Sequence, residues 1–217
     1  MADTQIKALQ GELDRRAERQ REVEHRVKNT LQLISSIVLL QGRRAADEAS
    51  RQALKAVLQR VSAVSVAHRH VSWADDTEQV EISPLIREIV GDLASSAGRE
   101  GVAIELDLEP LTVPGHQGPP VALLVSEAVG NSLRHAFPGD RPGRVHVAIR
   151  GADGGFVLTV ADDGVGSAEG DHPKGFGFTV LQLMAQQLRG KLETQDAQPG
   201  LRLSVSVPLR TTASPRP

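Results

Sequence analysis

The change in apolar spacing near residue 77 is the feature that most constrains the fold of this chain. Between residues 3 and 71 the sequence has no proline and only two glycines, and its apolar residues recur at the spacing of an α-helix. After residue 77, short runs of alternating apolar and polar residues are interleaved with further helical patterns, which is typical of folds that mix helices and strands. The sequence therefore predicts three segments: a helical domain at 1–76, an α/β domain at 77–210 and a polar, disordered tail at 211–217.

Two helices are predicted in the first domain, with a break near Gly42. Their apolar stripes are Val23, Val27, Leu31, Ile34 and Val38 in the first helix and Leu54, Val57, Leu58, Val61, Val64 and Val71 in the second. The short polar turn between them indicates an antiparallel hairpin. A second apolar flank, formed by Leu33, Ile37 and Leu40, widens the apolar arc of the first helix to about half of its circumference. That width predicts a four-helix bundle completed by a second copy of the chain, and hence a homodimer.

Four runs of alternating residues in the second domain predict the strands of a mixed sheet with one buried face. They are 102–109, 145–149, 156–160 and 201–207. Helices at 120–136 and 178–188 are predicted to cover that face. A further helix is predicted to start with Ser83 as its N-cap and Pro84 at its first helical position.

The composition argues against several classes of protein. The chain has no cysteine, so it has neither disulfides nor thiolate metal sites, which favours a cytoplasmic location. Residues 1–7 lack the apolar run of a signal peptide, and the richest apolar run, 33–40, is too short to span a bilayer. A net charge of -2 and the absence of tyrosine argue against nucleic-acid binding.

His25 lies on a polar line of the first predicted helix. The line continues four, seven and eleven residues later through Asn29, Gln32 and Ser36. Since it runs opposite the apolar stripe, we expect the imidazole to face solvent, where it can act as a nucleophile. Taken alone, a surface histidine without any function is the favoured interpretation.

Three polar side chains interrupt the otherwise apolar helix predicted at 120–136. Glu127, Asn131 and His135 follow one another at intervals of four residues, so they project from one face, and Arg134 lies beside them. A polar ligand explains this pattern better than packing does. The carboxylate and the amide oxygen suit Mg²⁺, and the guanidinium suits phosphate. The alternative is an amphipathic helix at the surface.

A strand that ends in an acidic, glycine-spaced turn is predicted at 157–166. Asp162 at this end can accept a hydrogen bond from an exocyclic amine such as that of adenine. Gly164 and Gly166 let the backbone approach a flat ligand closely. A plain tight turn has the same composition.

A second glycine-rich motif opens the helix predicted at 178–188. Lys174, Gly175 and Gly177 come just before the free backbone N–H groups of a helix N-terminus, an arrangement that suits phosphate. The polar stretch 167–174 is a candidate lid over a bound nucleotide. A flexible surface loop is the alternative.

In this order, the four motifs resemble those of two-component sensor histidine kinases over about residues 20–208. The second half resembles the GHKL (Bergerat) ATP-binding fold, whose N box and glycine boxes match Glu127-x-x-x-Asn131-x-x-Arg134-His135, Asp162-x-Gly164-x-Gly166 and Gly175-x-Gly177. The first half is similar to the subfamily (HisKA type 2) whose acceptor helix reads H-R-x-K-N-x-L-Q, found here from His25 to Gln32. The resemblance implies an α+β fold, in which a hairpin forming a dimeric four-helix bundle precedes a two-layer α/β sandwich.

The same resemblance implies a function. His25 would take the terminal phosphoryl group of Mg-ATP and pass it to an aspartate of a response regulator. Asn131 would coordinate Mg²⁺ and Asp162 would recognise the adenine. Arg134 and His135 would lie near the phosphates, and the glycine boxes would frame the lid.

The sequence departs from the family pattern directly after the acceptor, where Arg26 replaces the acid that many of these kinases use to orient the imidazole. Glu24 and Glu127 are the candidates for that role. Asn29, one turn after the acceptor, is the family's candidate for positioning a water that dephosphorylates the regulator. The second glycine box reads Gly-Phe-Gly-Phe where the family often has Gly-Leu-Gly-Leu, which is expected to alter the packing of the lid.

The sequence is also compatible with two other functions. One is a phosphotransfer or phosphatase module that acts on a response regulator with little use of ATP. The other is a GHKL anti-sigma switch kinase that binds a transcription factor, and the long hairpin bearing His25 argues against it. No sensor is recognisable before His25, so we expect the input to come from a partner or from the rest of a longer protein.

Overall fold

The computed structural model describes residues 22, 26–74, 77–152, 154–166 and 175–209. It confirms the predicted α+β class, because helices come first and a mixed sheet follows. His25, Lys174 and the predicted tail at 211–217 lie outside the described residues. In chain order the elements are α1 (26–44 in its described part), α2 (Glu48–Arg69), β1 (Val71–Ala74), β2 (Thr77–Glu81), α3 (Ile82–Ala97), β3 (Val102–Leu108), β4 (Thr112–Pro114), α4 (Gly118–Asn131), β5 (Gly143–Ala152), β6 (Gly155–Asp162), α5 (Phe176–Gln187), β7 (Lys191–Asp196) and β8 (Leu201–Pro208).

The predicted pair of N-terminal helices is present, and only residues 45–47 separate α1 from α2. Asp47 caps α2, since its carboxylate accepts hydrogen bonds from the backbone N–H and the hydroxyl of Ser50, both at 2.7 Å. These bonds lower the pKa of Asp47 and keep a negative charge at the positive end of the helix dipole. Among the described residues, no helix has the length and apolar character needed to cross a membrane.

The second helix ends at Arg69, so its predicted extension to Val71 is wrong: Val71 pairs with Val80 as the first residue of β1. The end of α2 leads into a small antiparallel sheet with the strand order β1-β2-β4. β1 and β2 pair with each other although the predicted domain border at residue 77 separates them. Ala63, Val66 and Ala67 of α2 are buried in the same core as α3 and α4. The end of α2 therefore packs into the second half of the chain, and the border itself stays a prediction.

A five-stranded sheet with the order β3-β5-β6-β8-β7 forms the second half. β3 and β5 are parallel and the other pairs are antiparallel, which confirms the predicted mixed sheet. Along β6, Phe156, Leu158 and Val160 alternate with more exposed residues and face the core, which α4 and α5 cover. The edge strand β7 was not predicted, because Leu192 is its only apolar residue and so it has no alternating apolar pattern.

The predicted start of α3 is wrong in detail. The helix begins at Ile82, its N-cap is Glu81, and no side chain caps it. Ile82 is fully buried, and its N–H donates to the Leu111 carbonyl at 2.9 Å. Ser83 is already inside the first turn, where its hydroxyl donates to the Glu109 carbonyl at 2.7 Å. Burial of Ile82 and this tertiary bond outweigh the local capping preference of serine.

α4 is buried along nearly its whole length, and it does not continue as an α-helix to residue 136 as predicted. From Ser132 to Ala136 the chain forms a wider π-helical turn. Such turns insert an extra residue into a helix and redirect the side chains that follow it. Here the turn carries Arg134 and His135, two of the residues predicted to contact a ligand.

Candidate functional site

A cavity of about 430 Å³ lies where α4 and its π-helical turn meet the end of β6 and the start of α5. This volume is within the range of sites for small molecules and cofactors. Most of the residues predicted to bind a ligand line it. They are Glu127, Asn131, Arg134, His135, Asp162, Gly166, Gly175 and Gly177.

Two predicted residues, Asn29 and Gly164, do not line the cavity, and two others cannot be placed relative to it. His25 and Lys174 lie outside the described residues. Asn29 is exposed on α1 and does not line the cavity. Gly164 is buried behind the wall, where an added Cβ would lie 2.4 Å from both the Cβ and the carbonyl oxygen of Ala136. Glycine is therefore needed there so that the loop after β6 can pack against the π-helical turn.

Asp162 is held rigidly at one end of the cavity. Its Oδ2 accepts from the Ser132 hydroxyl at 2.7 Å, and its Oδ1 accepts from the backbone N–H groups of Gly164 at 3.1 Å and Leu201 at 3.2 Å. The carboxylate is 7% exposed, so a ligand reaches it only through the cavity. Ser132 and Leu201 were not predicted. Leu201 meets Asp162 only through the pairing of β6 with β8, which no local pattern reveals.

The wall around Asp162 is apolar. It consists of Val160, Leu181, Leu203 and Ala136. One fixed carboxylate within apolar surroundings suits a planar ring that carries a hydrogen-bond donor on one edge.

Glu127 is 4% exposed and forms a two-pronged ion pair with Arg60 of α2. Nε of Arg60 donates to Oε1 at 2.6 Å, and Nη2 donates to Oε2 at 3.0 Å. The guanidinium also lies over the ring of Phe176, 4.8 Å from its centroid. Sequence reasoning missed Arg60, because it belongs to no motif and lies on a helix assigned to the other domain.

Arg134 links Asn131 to α2. It donates to Asn131 Oδ1 at 2.9 Å and to Gln59 Oε1 at 3.2 Å. Two successive residues of α2, Gln59 and Arg60, thus contact the polar residues of α4 and its turn. Desolvation lowers the pKa of Arg134, and the Glu127 carboxylate opposes this effect.

His135 is expected to be neutral at pH 7. Desolvation, followed by the positive charge of Arg134, lowers the pKa of its imidazole from the ordinary value of 6.5. A neutral ring can donate or accept a hydrogen bond without adding charge to the cavity.

The glycines at the start of α5 allow it to approach α4. An added Cβ at Gly177 would lie 2.8 Å from Glu127 Oε2 and 3.3 Å from Asn131 Oδ1. Gly175 precedes the helix with a φ of 121°, which side chains rarely tolerate. The first backbone N–H groups of α5 therefore lie next to the polar residues of α4, where they can bind an anion.

The donor set fits a magnesium ion that arrives with phosphate. Among the described residues, no group of three or more histidine, aspartate or glutamate side chains could hold a metal alone. The Asn131 amide and the Glu127 carboxylate offer oxygens that currently accept from Arg134 and Arg60. Since Mg²⁺ is often bound by one or two protein oxygens together with substrate phosphates, these residues suffice for such an ion.

Two family models match the chain. Residues 22–97 match a family described as histidine kinase (HisKA type 2). Residues 117–211 match the family of histidine kinase-, DNA gyrase B- and HSP90-like ATPases. The second match contains every residue of the cavity except Arg60, which belongs to the first.

Curated relatives agree with these matches. The chain is 30% identical over 191 residues to the sensor histidine kinase PdtaS of Mycobacterium tuberculosis, across 82% of this chain and 36% of that protein. It is 28% identical over 206 residues to the blue-light-activated histidine kinase 2 of Erythrobacter litoralis, across 91% of this chain and 58% of that protein. The chain therefore spans less than two thirds of the length of either relative.

A solved structure has the same fold. It is the histidine kinase domain of a blue-light-activated histidine kinase from Erythrobacter litoralis. The TM-score is 0.68 and the identity is 26%, over 87% of this chain and 89% of that chain.

Proposed function

Since the chain belongs to the histidine kinases, with a HisKA type 2 segment followed by a GHKL ATP-binding fold, we propose that it is an ATP-dependent protein-histidine kinase that phosphorylates its own His25. The phosphoryl group would then pass to an aspartate of a response regulator. One observation carries the proposal. A single cavity contains a fixed carboxylate in apolar surroundings, the polar residues beside the start of α5, and Arg60 of α2.

Nucleotide binding follows from the two ends of the cavity. Asp162 would accept a hydrogen bond from the exocyclic amine of adenine, held in position by Ser132 and two backbone N–H groups. The phosphates would lie against the N-terminal turn of α5, with Arg134 and His135 beside them. Asn131 and Glu127 would hold Mg²⁺, which neutralises charge on the phosphates when it is bound.

Transfer would form a bond between an imidazole nitrogen of His25 and the γ-phosphorus. The bond from that phosphorus to the bridging oxygen would break, and ADP would leave with the electron pair. The residues that continue the predicted polar line, Asn29, Gln32 and Ser36, are exposed on α1, which supports a solvent-facing acceptor. We propose a separate role for Asn29 in dephosphorylation of the regulator, in which it would position a water that attacks the aspartyl phosphate and releases inorganic phosphate. Glu127 is the described candidate for orienting the imidazole.

The apolar flank of α1 supports the proposal of a homodimer. Leu33 is 63% exposed, Ile37 50% and Leu40 54%, which is unusual for large aliphatic side chains on a single helix face. A second hairpin would bury this flank in a four-helix bundle. We expect light scattering to give twice the chain mass at micromolar concentration, and the mass of one chain would contradict the dimer.

The kinase activity itself is tested with ATP labelled at the γ-phosphate. We expect the protein to become labelled only when Mg²⁺ is present. Acid should release the label and alkali should not, because the phosphorus is bound to nitrogen. ATP labelled at the α-phosphate is the control and should leave no label. Binding of Mg-nucleotide without any transfer of label would overturn the kinase assignment in favour of a binding module.

A further inference from the structure

Arg60 is the residue that the described part of the hairpin contributes to the lining of the cavity. It comes from α2, yet it lines the same cavity as Asn131 and the start of α5. Its side chain is only 18% exposed. Among the described lining residues it is one of two arginines, and the other, Arg134, belongs to the ATP-binding fold.

Arg60 and Asp162 bond to residues at different levels along α4 and its turn. Ser132, which bonds Asp162, comes five residues after Glu127, the partner of Arg60. At 1.5 Å per residue these two positions are about 7.5 Å apart along the helix axis, with Asn131 between them. A nucleotide whose base lies at Asp162 and whose phosphates pass Asn131 would bring its last phosphate toward Arg60.

The guanidinium has hydrogen-bonding capacity left for such a group. Glu127 uses the edge formed by Nε and one N–H of Nη2. A guanidinium has five N–H donors, so three of them make no hydrogen bond within the described part of the chain. The remaining edge, formed by Nη1 and Nη2, matches two oxygens of a phosphate in the same way that the first edge matches a carboxylate.

The contacts on the opposite side hold the guanidinium in place. Glu127 fixes its plane, and Phe176 covers one face. A buried ion pair is weak evidence for a stabilising role, since apolar residues of similar volume often stabilise a protein equally well. A pre-oriented arginine at a phosphate site binds without losing further side-chain freedom.

We infer that Arg60 recognises the terminal phosphate of ATP, so that the hairpin itself distinguishes ATP from ADP. The inference rests on the proposed nucleotide site. It adds a residue from the hairpin to that site, and it links occupancy by the γ-phosphate to the docking of α2 on the ATP-binding fold.

The test compares two ligands, Mg-ADP and a non-hydrolysable Mg-ATP analogue with nitrogen between the last two phosphorus atoms. Calorimetry measures both affinities for the unaltered chain, Arg60→Ala and Arg60→Lys. We expect Arg60→Ala to weaken analogue binding at least tenfold and ADP binding less than threefold. Arg60→Lys should lie in between, because lysine keeps the charge and loses the two-pronged geometry. Arg69→Ala is the matched control, since Arg69 of the same helix pairs with Glu88 of α3 outside the cavity.

The outcomes separate the two proposals. If the unaltered chain binds neither ligand, the proposed nucleotide site fails. If it binds both, and Arg60→Ala changes neither affinity or weakens both by the same factor, Arg60 has at most a structural role and this inference is overturned. A selective loss of analogue affinity in Arg60→Ala, absent in Arg69→Ala, supports it.

Discussion

Replacement of His25 by alanine is expected to abolish the incorporation of acid-labile phosphate from γ-labelled ATP. Alanine has no nucleophilic atom, so no bond to phosphorus can form at this position. Nucleotide affinity should stay within a factor of about two, because the substitution retains every described residue that lines the cavity. Quantifying the label after equal times with the unaltered chain and with His25→Ala measures the effect.

His68→Ala is the matched control for this experiment. His68 is an exposed histidine on α2 that does not line the cavity. Its removal should leave incorporation unchanged. Acid-labile label that persists in His25→Ala and disappears in His68→Ala would move the acceptor to α2 and refute the assignment.

Replacement of Asp162 by asparagine is expected to cause the second large effect, a loss of nucleotide affinity. The amide has the same shape, and its oxygen can still accept from the backbone N–H groups of Gly164 and Leu201. Its NH₂ group then takes the place of Oδ2 and faces the exocyclic amine of adenine, so two donors oppose each other. An unsatisfied buried pair of this kind costs about 2–3 kcal/mol, or about 30- to 150-fold in affinity.

Asp163→Asn is the control for Asp162→Asn. Asp163 is the neighbouring acid, but it is exposed and accepts from the Arg144 N–H at 2.6 Å, away from the cavity. Titration calorimetry with Mg-ADP should show the loss for Asp162→Asn alone. Equal affinities of both variants and the unaltered chain would exclude Asp162 from adenine recognition.

Local patterns predicted the elements of the fold well wherever burial alternates along the chain. β6 is an example, because Phe156, Leu158 and Val160 are apolar at every second position and all three face the core. The start of α3 shows the limit of such patterns. The serine and proline near it have the right capping chemistry, yet burial of Ile82 sets the helix start.

The candidate site was predictable where one motif supplies neighbouring residues. Glu127, Asn131 and His135 are close in sequence, so their spacing already placed them together. Arg60 and Leu201 come from distant segments, 67 residues from Glu127 and 39 residues from Asp162, and only the packing of α2 and the pairing of β8 bring them in. The π-helical turn at Ser132–Ala136 was also missed, since a helical apolar pattern does not distinguish an α-turn from a wider one.

The burial of Ala63, Val66 and Ala67 limits how a movement of α2 could change the cavity that is proposed to bind nucleotide. If a signal slides or rotates α2, these three side chains must either leave their places and meet water, or pull α3 and α4 with them. Exposure of these side chains to water has a hydrophobic penalty, whereas movement of α3 and α4 displaces the helix that bears Glu127 and Asn131. Under the proposed function, a signal that moves α2 would therefore be coupled to the chemistry through these shared side-chain contacts.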